Sequence, residues 1–426
     1  MNPKTLDDCR TLDANDPLRA LRSQFQLPTG VIYLDGNSLG VLPKTTAARV
    51  NAVMTHEWGE GLIRSWNSAG WFEAPRRIGN QIARLIGAGA DEVVATDSTS
   101  VNLYKVLSAA LNLVRQDAPQ RQTVVSERSN FPTDLYIAEA LCRERGCTLK
   151  LLEPDEISGA LTPDVAVLML THVNYRTGAM HDMCALTAAA HAAGILTVWD
   201  LAHSAGAVPV NLTSSGADFA VGCGYKYLNG GPGAPAFVWV APRHADRFWQ
   251  PLAGWWGHAA PFAFTPDYQP APGIARYLCG TQPIISLAAL DCGVDTLLAA
   301  EPMGGMRALR TKSLALTDLF IELVEARCAG HGLTLVTPRQ HAQRGSQVCL
   351  ARTDGAYAIV QALIARGVIG DFRAGDGATH PDILRFGFTP LYIGFEDVWN
   401  AVEQLKQVLD SGEWQRSEFN QQHAVT

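Results

Sequence analysis

Apolar positions along the middle of the chain fall into two kinds of run. Val93–Thr96, Thr123–Ser126, Leu149–Leu152, Val165–Leu170, Ile195–Trp199, Phe219–Val221 and Ala236–Val240 are short and nearly continuous, which predicts strands buried on both faces. Between them, Val101–Val114 and Thr133–Arg145 carry apolar residues at helical spacing, and His181–Ala193 is rich in alanine. Strand and helix alternating over this span predict an α/β fold: a mostly parallel central sheet covered by helices in one large domain. Beyond residue 295 the texture changes. Leu309–Ala329 and Phe395–Leu409 read as helices, and Gln347–Ala351 and Leu384–Phe388 as strands. They predict a smaller α+β C-terminal domain. The expected division is 1–45, a segment contributing to the small domain and the site entrance; 46–295, the large domain; and 296–426, the small one. The Pro- and Gly-rich stretches 228–235 and 261–273 read as loops.

Composition narrows the function classes. Of 426 residues, 47% are apolar and 18% charged, the latter below the usual share of about 25%. So few charges predict that part of the surface is buried in an oligomer. The net charge is −7 and Arg76–Arg77 is the longest basic run, which argues against nucleic acid. Nine cysteines are scattered without a CxxC pair, as expected of reduced thiols in a cytoplasmic protein. The N-terminus is polar, and no stretch has the ~18 apolar residues of a membrane span. No zinc spacing, Walker sequence or GxSxG occurs, and no metal is expected. Gly87-Ala88-Gly89 ends a helical pattern, Glu73–Ile86, and precedes a strand, the reverse of a dinucleotide turn.

Ligands of a parallel sheet bind beyond the carboxyl ends of its strands, so the residues after each strand are the candidates. Val93–Thr96 is followed by Asp97-Ser98-Thr99-Ser100, then a helix: an anion cradle, or a plain N-cap. Thr123–Ser126 leads to Asn130-Phe131-Pro132-Thr133-Asp134, an aromatic and a carboxylate. Ile195–Trp199 leads to Asp200-Leu201-Ala202-His203. The apolar run Phe219–Val221 leads to Gly222-Cys223-Gly224-Tyr225-Lys226-Tyr227-Leu228-Asn229, in which one lysine is set among glycines and tyrosines. An anion cradle, a stacking ring, a carboxylate and a sheltered amine suit one compact, electron-poor, phosphate-bearing ring. Pyridoxal 5′-phosphate meets that description: its aldehyde takes a lysine amine as a Schiff base, and its ring nitrogen needs an acidic partner.

Tyr33-Leu34-Asp35-Gly36-Asn37-Ser38-Leu39-Gly40, Phe131-Pro132-Thr133-Asp134, Trp199–Ser204, Gly224–Asn229 with its Gly-Gly-Pro-Gly tail, and Gly254-Trp255-Trp256-Gly257-His258 together resemble the kynureninase family. The resemblance runs from about residue 30 to about residue 410. It implies a pyridoxal-phosphate-dependent transferase-like fold of type I and a homodimer with sites at the subunit interface. The implied reaction is hydrolysis of L-kynurenine to anthranilate and L-alanine. The pathway role, tryptophan catabolism or pyridine nucleotide precursor supply, stays open.

By that resemblance Lys226 joins the cofactor aldehyde and Asp200 faces the pyridinium nitrogen with Asp134 nearby. Phe131, with Pro132 and Thr133 beside it, covers the ring. Thr99 and Ser100 hold the phosphate, and Thr171, His203 and Tyr225 complete the shell. Trp255 and Thr281 would reach the neighbouring subunit's phosphate. Arg385 would clamp the substrate carboxylate, with Trp66, Asn37, His258 and Gly280 as further substrate residues. Lys226, Tyr225 and Asp200 are the expected catalytic groups. Gly280 and Thr281 favour kynurenine over 3-hydroxykynurenine. Trp66 and Trp71 lie in a stretch poor in helix signals and also read as core anchors. A cysteine desulfurase-like lyase is the competing activity, and it would need a mobile nucleophilic thiol. Cys349 lies in a strand-like stretch, which predicts packing instead. A catalytically inert binding protein on the same fold is the other alternative.

Overall fold

Every residue of Val165–Thr171 is buried, as its unbroken apolar run requires. In the computed structural model, which describes residues 4–377 and 380–421, this strand lies inside a seven-stranded sheet. The order across that sheet is Val93–Ala95, Phe237–Val240, Phe219–Gly222, Leu196–Asp200, Val165–Thr171, Thr123–Glu127, Thr148–Leu152. The last five run parallel to one another. Phe237–Val240 runs antiparallel to both of its neighbours. The sheet is therefore mixed and mostly parallel, as the alternating pattern predicts. Helices Thr99–Asp117, Pro132–Arg145 and Met183–Ala192 supply the crossovers. The apolar side of Thr99–Asp117, including Leu103, Val106, Leu107 and Leu113, is fully buried against the sheet.

The chain forms two compact units. One holds 45–175 and 181–295 and contains this sheet. The other holds the described parts of 1–44, 176–180 and 296–426. Its four-stranded antiparallel sheet has the order Asp371–Arg373, Asp382–Gly387, Gln347–Arg352, Thr334–Leu335. Helices Gly305–Arg327, Ala356–Ala365 and Phe395–Ser411 pack in the same unit. The helix Leu6–Ala14 joins it through a specific cap. Both carboxylate oxygens of Asp13 accept at 2.8 Å from the first backbone N–H groups of Phe395–Ser411, at Phe395 and Glu396.

The stretch around Trp66 differs from expectation. Val53–Gly61 forms a π-helical run, and Leu62–Arg64 and Ser65–Ser68 continue it as helical turns. Weak helix propensity is overridden by local packing. Trp71 donates from Nε1 to Glu57 at 2.6 Å, and Trp66 sits edge-on to Trp71 and Trp256 at 5.5 and 5.2 Å.

Candidate active site

Five strand ends of the large unit meet in one cleft of about 450 Å³. It is lined by Thr99, Ser100, Phe131, Thr133, Asp134, Thr171, Tyr175, Asp200, Ala202, His203, Tyr225 and Lys226. Ten of these twelve are the residues the sequence points to. Parallel register explains the convergence: Thr171 stands beside Asp200, and Asp200 beside Val221, at the carboxyl ends of adjacent strands.

The anion cradle is built by a sharp turn. Asp97 adopts a left-handed backbone, φ 46°, which swings the chain from Val93–Ala95 into the helix. Ser98, not Thr99 or Ser100, is the N-cap, accepting from Val101 N–H. Thr99 and Ser100 thus occupy the first turn, whose N–H groups lack intrahelical acceptors. Beneath them, the fully buried Lys105 ammonium donates to Asp97 at 2.5 Å and to the Tyr277 carbonyl at 2.6 Å.

The charged centre is nearly dry. Asp200 is 5% exposed, accepts from Ala202 N–H at 2.8 Å and lies 3.3 Å from the Thr171 hydroxyl. Asp134 is also buried and faces it. Burial pushes both carboxyls up; the Asp134 group is raised further by Asp200, whereas Lys226 pulls Asp200 back down. Two adjacent buried carboxyls resist carrying two negative charges, and the nearby Lys226 amine favours the charge on Asp200. Lys226 Nζ is 2.9 Å from His203 Nε2 and 5.9 Å from the centre of the Phe131 ring. The tight loop behind it depends on Gly224, where an added Cβ would lie 2.2 Å from the Pro235 carbonyl. Burial raises the Tyr225 phenol well above its ordinary value, so it stays protonated at neutral pH.

These residues fit pyridoxal 5′-phosphate by the chemistry of the donor set: one amine, a buried pair of carboxyls, an aromatic face and a helix N-terminus. Tyr175 and Ala202 were missed. Tyr175 follows the strand end at Thr171 and makes an edge contact with Phe131 at 5.2 Å; extending the strand-end search four residues finds it.

Of the remaining candidates in this unit, Pro132 starts the helix after Phe131 and does not line the cleft. Trp66, Trp255, His258, Gly280 and Thr281 also lie outside the lining. Trp255 and Thr281 are exposed. His258 accepts from Ala260 N–H at 2.8 Å through Nδ1, and its Nε2 is 3.1 Å from the Asp267 carbonyl. An added Cβ on Gly280 would meet nothing within 4 Å.

Asn37 and Arg385 belong to the other unit. Arg385 is 2% exposed, not a surface residue. Its cross-strand neighbour Asp371 accepts from Nε at 2.7 Å and also from Nη2, while Ser38 accepts from Nη2 at 2.8 Å. Asn37 is fully buried against Gly387, and neither of its amide atoms has a hydrogen-bond partner among the described residues. Asp35 stands nearby. Burial, reinforced by Asp371 and opposed by Arg385, pushes its carboxyl up to about 7. Cys349, opposite Arg385 in the sheet, is fully buried, and burial raises its thiol to about 11. It has neither the mobility nor the acidity of a nucleophilic cysteine.

Among the described residues no cluster of three or more His, Cys, Asp or Glu is placed to hold a metal. No helix among them is long and apolar enough to cross a membrane.

Comparison with known proteins agrees with this chemistry. Solved structures with the same fold include the apo cysteine desulfurase of Thermococcus onnurineus NA1, at TM-score 0.76 and 20% identity over 92% of this chain and 98% of that one. The cystine C–S lyase C-DES, solved with its product cysteine persulfide, matches at TM-score 0.75 and 16% identity over 89% and 98%. A family profile described as the kynureninase C-terminal domain matches residues 309–405. The kynureninase of Pseudomonas fluorescens is 59% identical over 425 residues, 99% of this chain and 100% of the relative. That of Burkholderia mallei (strain SAVP1) is 58% identical over 426 residues, with the same coverage. With identity this high from end to end, the chain belongs to the kynureninase family.

Proposed function

We propose that the cleft binds pyridoxal 5′-phosphate and that the chain hydrolyses the Cβ–Cγ bond of L-kynurenine, releasing anthranilate and L-alanine. The observation that carries this is the grouping of Lys226, Asp200 and Asp134 in one cleft whose fourth wall is the helix N-terminus at Thr99. When bound, the cofactor supplies an electron-poor ring that accepts the electron pair released at the substrate α-carbon.

Lys226 would hold the cofactor through its amine and, with that amine free, would take the substrate α-proton as a general base. His203 orients its amine from 2.9 Å. Asp200 would supply the negative charge that keeps a pyridine nitrogen protonated, and the buried Asp134 beside it limits the pair to less than two full charges. Thr99 and Ser100 take the phosphate on N–H groups and hydroxyls. Phe131 covers the ring face with Tyr175 behind it. Tyr225, protonated and lining the cleft, would give a proton to the β-carbon of the retained three-carbon fragment when the Cβ–Cγ bond breaks and the hydrated γ-carbonyl carbon leaves as the anthranilate carboxylate.

Arg385 takes the substrate carboxylate. Asp371 holds the Nε–Nη2 edge and so fixes the plane of the guanidinium, and the buried Asn37 amide supplies a second polar contact. Substrate contact by Trp66, His258 and Gly280 is part of the proposal. The open space over Gly280 is the feature that supports it best. We place the protein in the cytosol as a homodimer in which Trp255 and Thr281 reach the partner's phosphate, and the exposure of both supports this. The preference for kynurenine over its 3-hydroxy derivative rests on the family resemblance at Gly280 and Thr281.

The test is to load the protein with pyridoxal 5′-phosphate, add L-kynurenine and follow anthranilate fluorescence. Borohydride reduction and peptide mapping should place the label on the peptide containing Lys226. A label elsewhere, or alanine formed from cysteine and not from kynurenine, overturns the reading.

A further inference from the structure

At the end of the strand Thr123–Glu127 a carboxylate is buried for which the chemistry above has no use. Glu127 is 3% exposed. Its Oε2 is 2.6 Å from His181 Nε2; its Oε1 accepts from Asn174 Nδ2 at 2.8 Å and from the Ser129 hydroxyl. Asn174 Nδ2 also reaches the Ser129 carbonyl at 3.1 Å and the Ser129 Oγ at 2.8 Å. Hydrogen bonds from three side chains keep this acid ionised, holding its carboxyl below the ordinary range against the cost of burial.

The connections make one structural point. Ser129 is two residues before Phe131, and Asn174 is one before Tyr175. Glu127 therefore ties the loop carrying one cleft aromatic to the loop carrying the other. Phe131 is 41% exposed, so its own burial does not fix it. Its packing neighbour is Tyr175, at 5.2 Å and nearly perpendicular. Between Tyr175 and His181 the chain also leaves this unit, since 176–180 belong to the other one. There Arg176 donates to the Ala374 carbonyl at 2.5 Å and to the Pro381 carbonyl, and Met180 N–H donates to Gln343 at 2.8 Å. The departure at Asn174 and the return at His181 are thus both pinned to Glu127.

We propose that Glu127, acting with His181 and Asn174, is a positioning residue that sets Phe131 and Tyr175 over the cofactor ring. This rests on reading the cleft as a pyridoxal-phosphate site. Glu127 touches neither ring nor substrate; it fixes the two loops whose aromatic side chains do. An uncharged amide at 127 keeps the shape but weakens three charge-assisted bonds together.

The test uses the full-length protein as Glu127→Gln, His181→Gln and the double variant. Cofactor affinity is measured by titrating the apoprotein and following protein fluorescence. The induced circular dichroism of the bound cofactor reports the asymmetry of its surroundings. Each single variant should keep the wild-type far-ultraviolet spectrum, bind the cofactor about tenfold more weakly and lose much of the induced band. The double variant should be no worse than the worse single one, because the two side chains act as one unit. Wild-type affinity with an unchanged band in Glu127→Gln or His181→Gln overturns the proposal, as does a double variant whose losses simply add. If Glu127→Gln does not fold, His181→Gln, at a partly exposed position, decides alone. Borohydride labelling of the wild type is run alongside. A label away from Lys226 sinks the cofactor reading itself, whereas a label on Lys226 with unaffected variants sinks this inference only.

Discussion

Asp35, Asp371, Arg373 and Arg385 place two acids and two bases in the interior of one unit, and the balance among them depends on pH. Asp371 is 1% exposed and pairs with both arginines. Asp35, raised to about 7, is neutral below that pH and anionic above it. A second anion beside Arg385 competes with a substrate carboxylate. KM should therefore rise as pH passes about 7, and Asp35→Asn should flatten that rise when KM is measured across pH 6–9. Stability has the matching sign. A raised carboxyl pKa helps the fold below the unfolded value of about 4 and loses that help as pH climbs through the folded value. The gain in Tm from Asp35→Asn should grow between about pH 4 and 7 and then level off. For Lys226→Ala the expectation is complete loss of turnover and of borohydride labelling with an unchanged far-ultraviolet spectrum; a retained rate near wild type contradicts it. The part of the site visible in the sequence is the part made of local signals. Asp200, Thr99 and Lys226 each come within five residues of the end of an apolar run. The Asp371 partner of Arg385 was not visible, because cross-strand neighbours far apart in sequence are set by register, which no local pattern records.

Among the elements, the helix Thr99–Asp117 carries the clearest coupling of stability to function. Its Lys105 is fully buried, and its ammonium ties the Asp97 carboxylate to the Tyr277 carbonyl. Removing one member of a buried ion pair costs about 3–5 kcal/mol. Lys105→Met should lower stability by less than that, since methionine fills the space, but should free Asp97 to leave its left-handed conformation. The expected result is cofactor affinity at least tenfold lower with a smaller loss of Tm; equal affinity would show that the turn holds without its strut. Element identity was legible wherever the apolar pattern was long. The seven strands of the large sheet and the helices Gly305–Arg327 and Phe395–Ser411 fall where the periodicity places them. Direction was not: Phe237–Val240 runs against its neighbours because the loop before it brings the chain back, and an apolar run reads the same in either sense. The helical run through Val53–Ser68 was hidden for another reason. Trp58, Trp66 and the glycines at 59 and 61 depress helix propensity there, and packing around Trp71 restores it.

At the scale of the molecule, one buried acid holds several elements of the large unit together. Asp218, 1% exposed, accepts from His191, His244, Arg243 and the Thr197 backbone, and its carboxyl is held far below the ordinary range. A depressed carboxyl stabilises the fold above its unfolded pKa of about 4 and loses that contribution as pH falls below it. Asp218→Asn should cost about 3–5 kcal/mol at pH 7 and make the acid branch of an unfolding curve shallower. In the proposed homodimer, Trp255→Ala should weaken cofactor binding although Trp255 lies outside the lining of its own cleft; sedimentation of the variant as a dimer would assign the loss to the proposed shared site, and a monomeric wild type would overturn the arrangement. The cap that Asp13 places on the helix beginning at Phe395 has a further consequence, for synthesis. A ribosome adds about 5–20 residues per second, so the first helix emerges roughly 20–80 seconds before the backbone groups it must engage. The large unit is complete long before then. The helix carrying Asp13 is thus among the last elements to find its native neighbour, which makes it, rather than the catalytic cleft, the place where a holding chaperone would be needed.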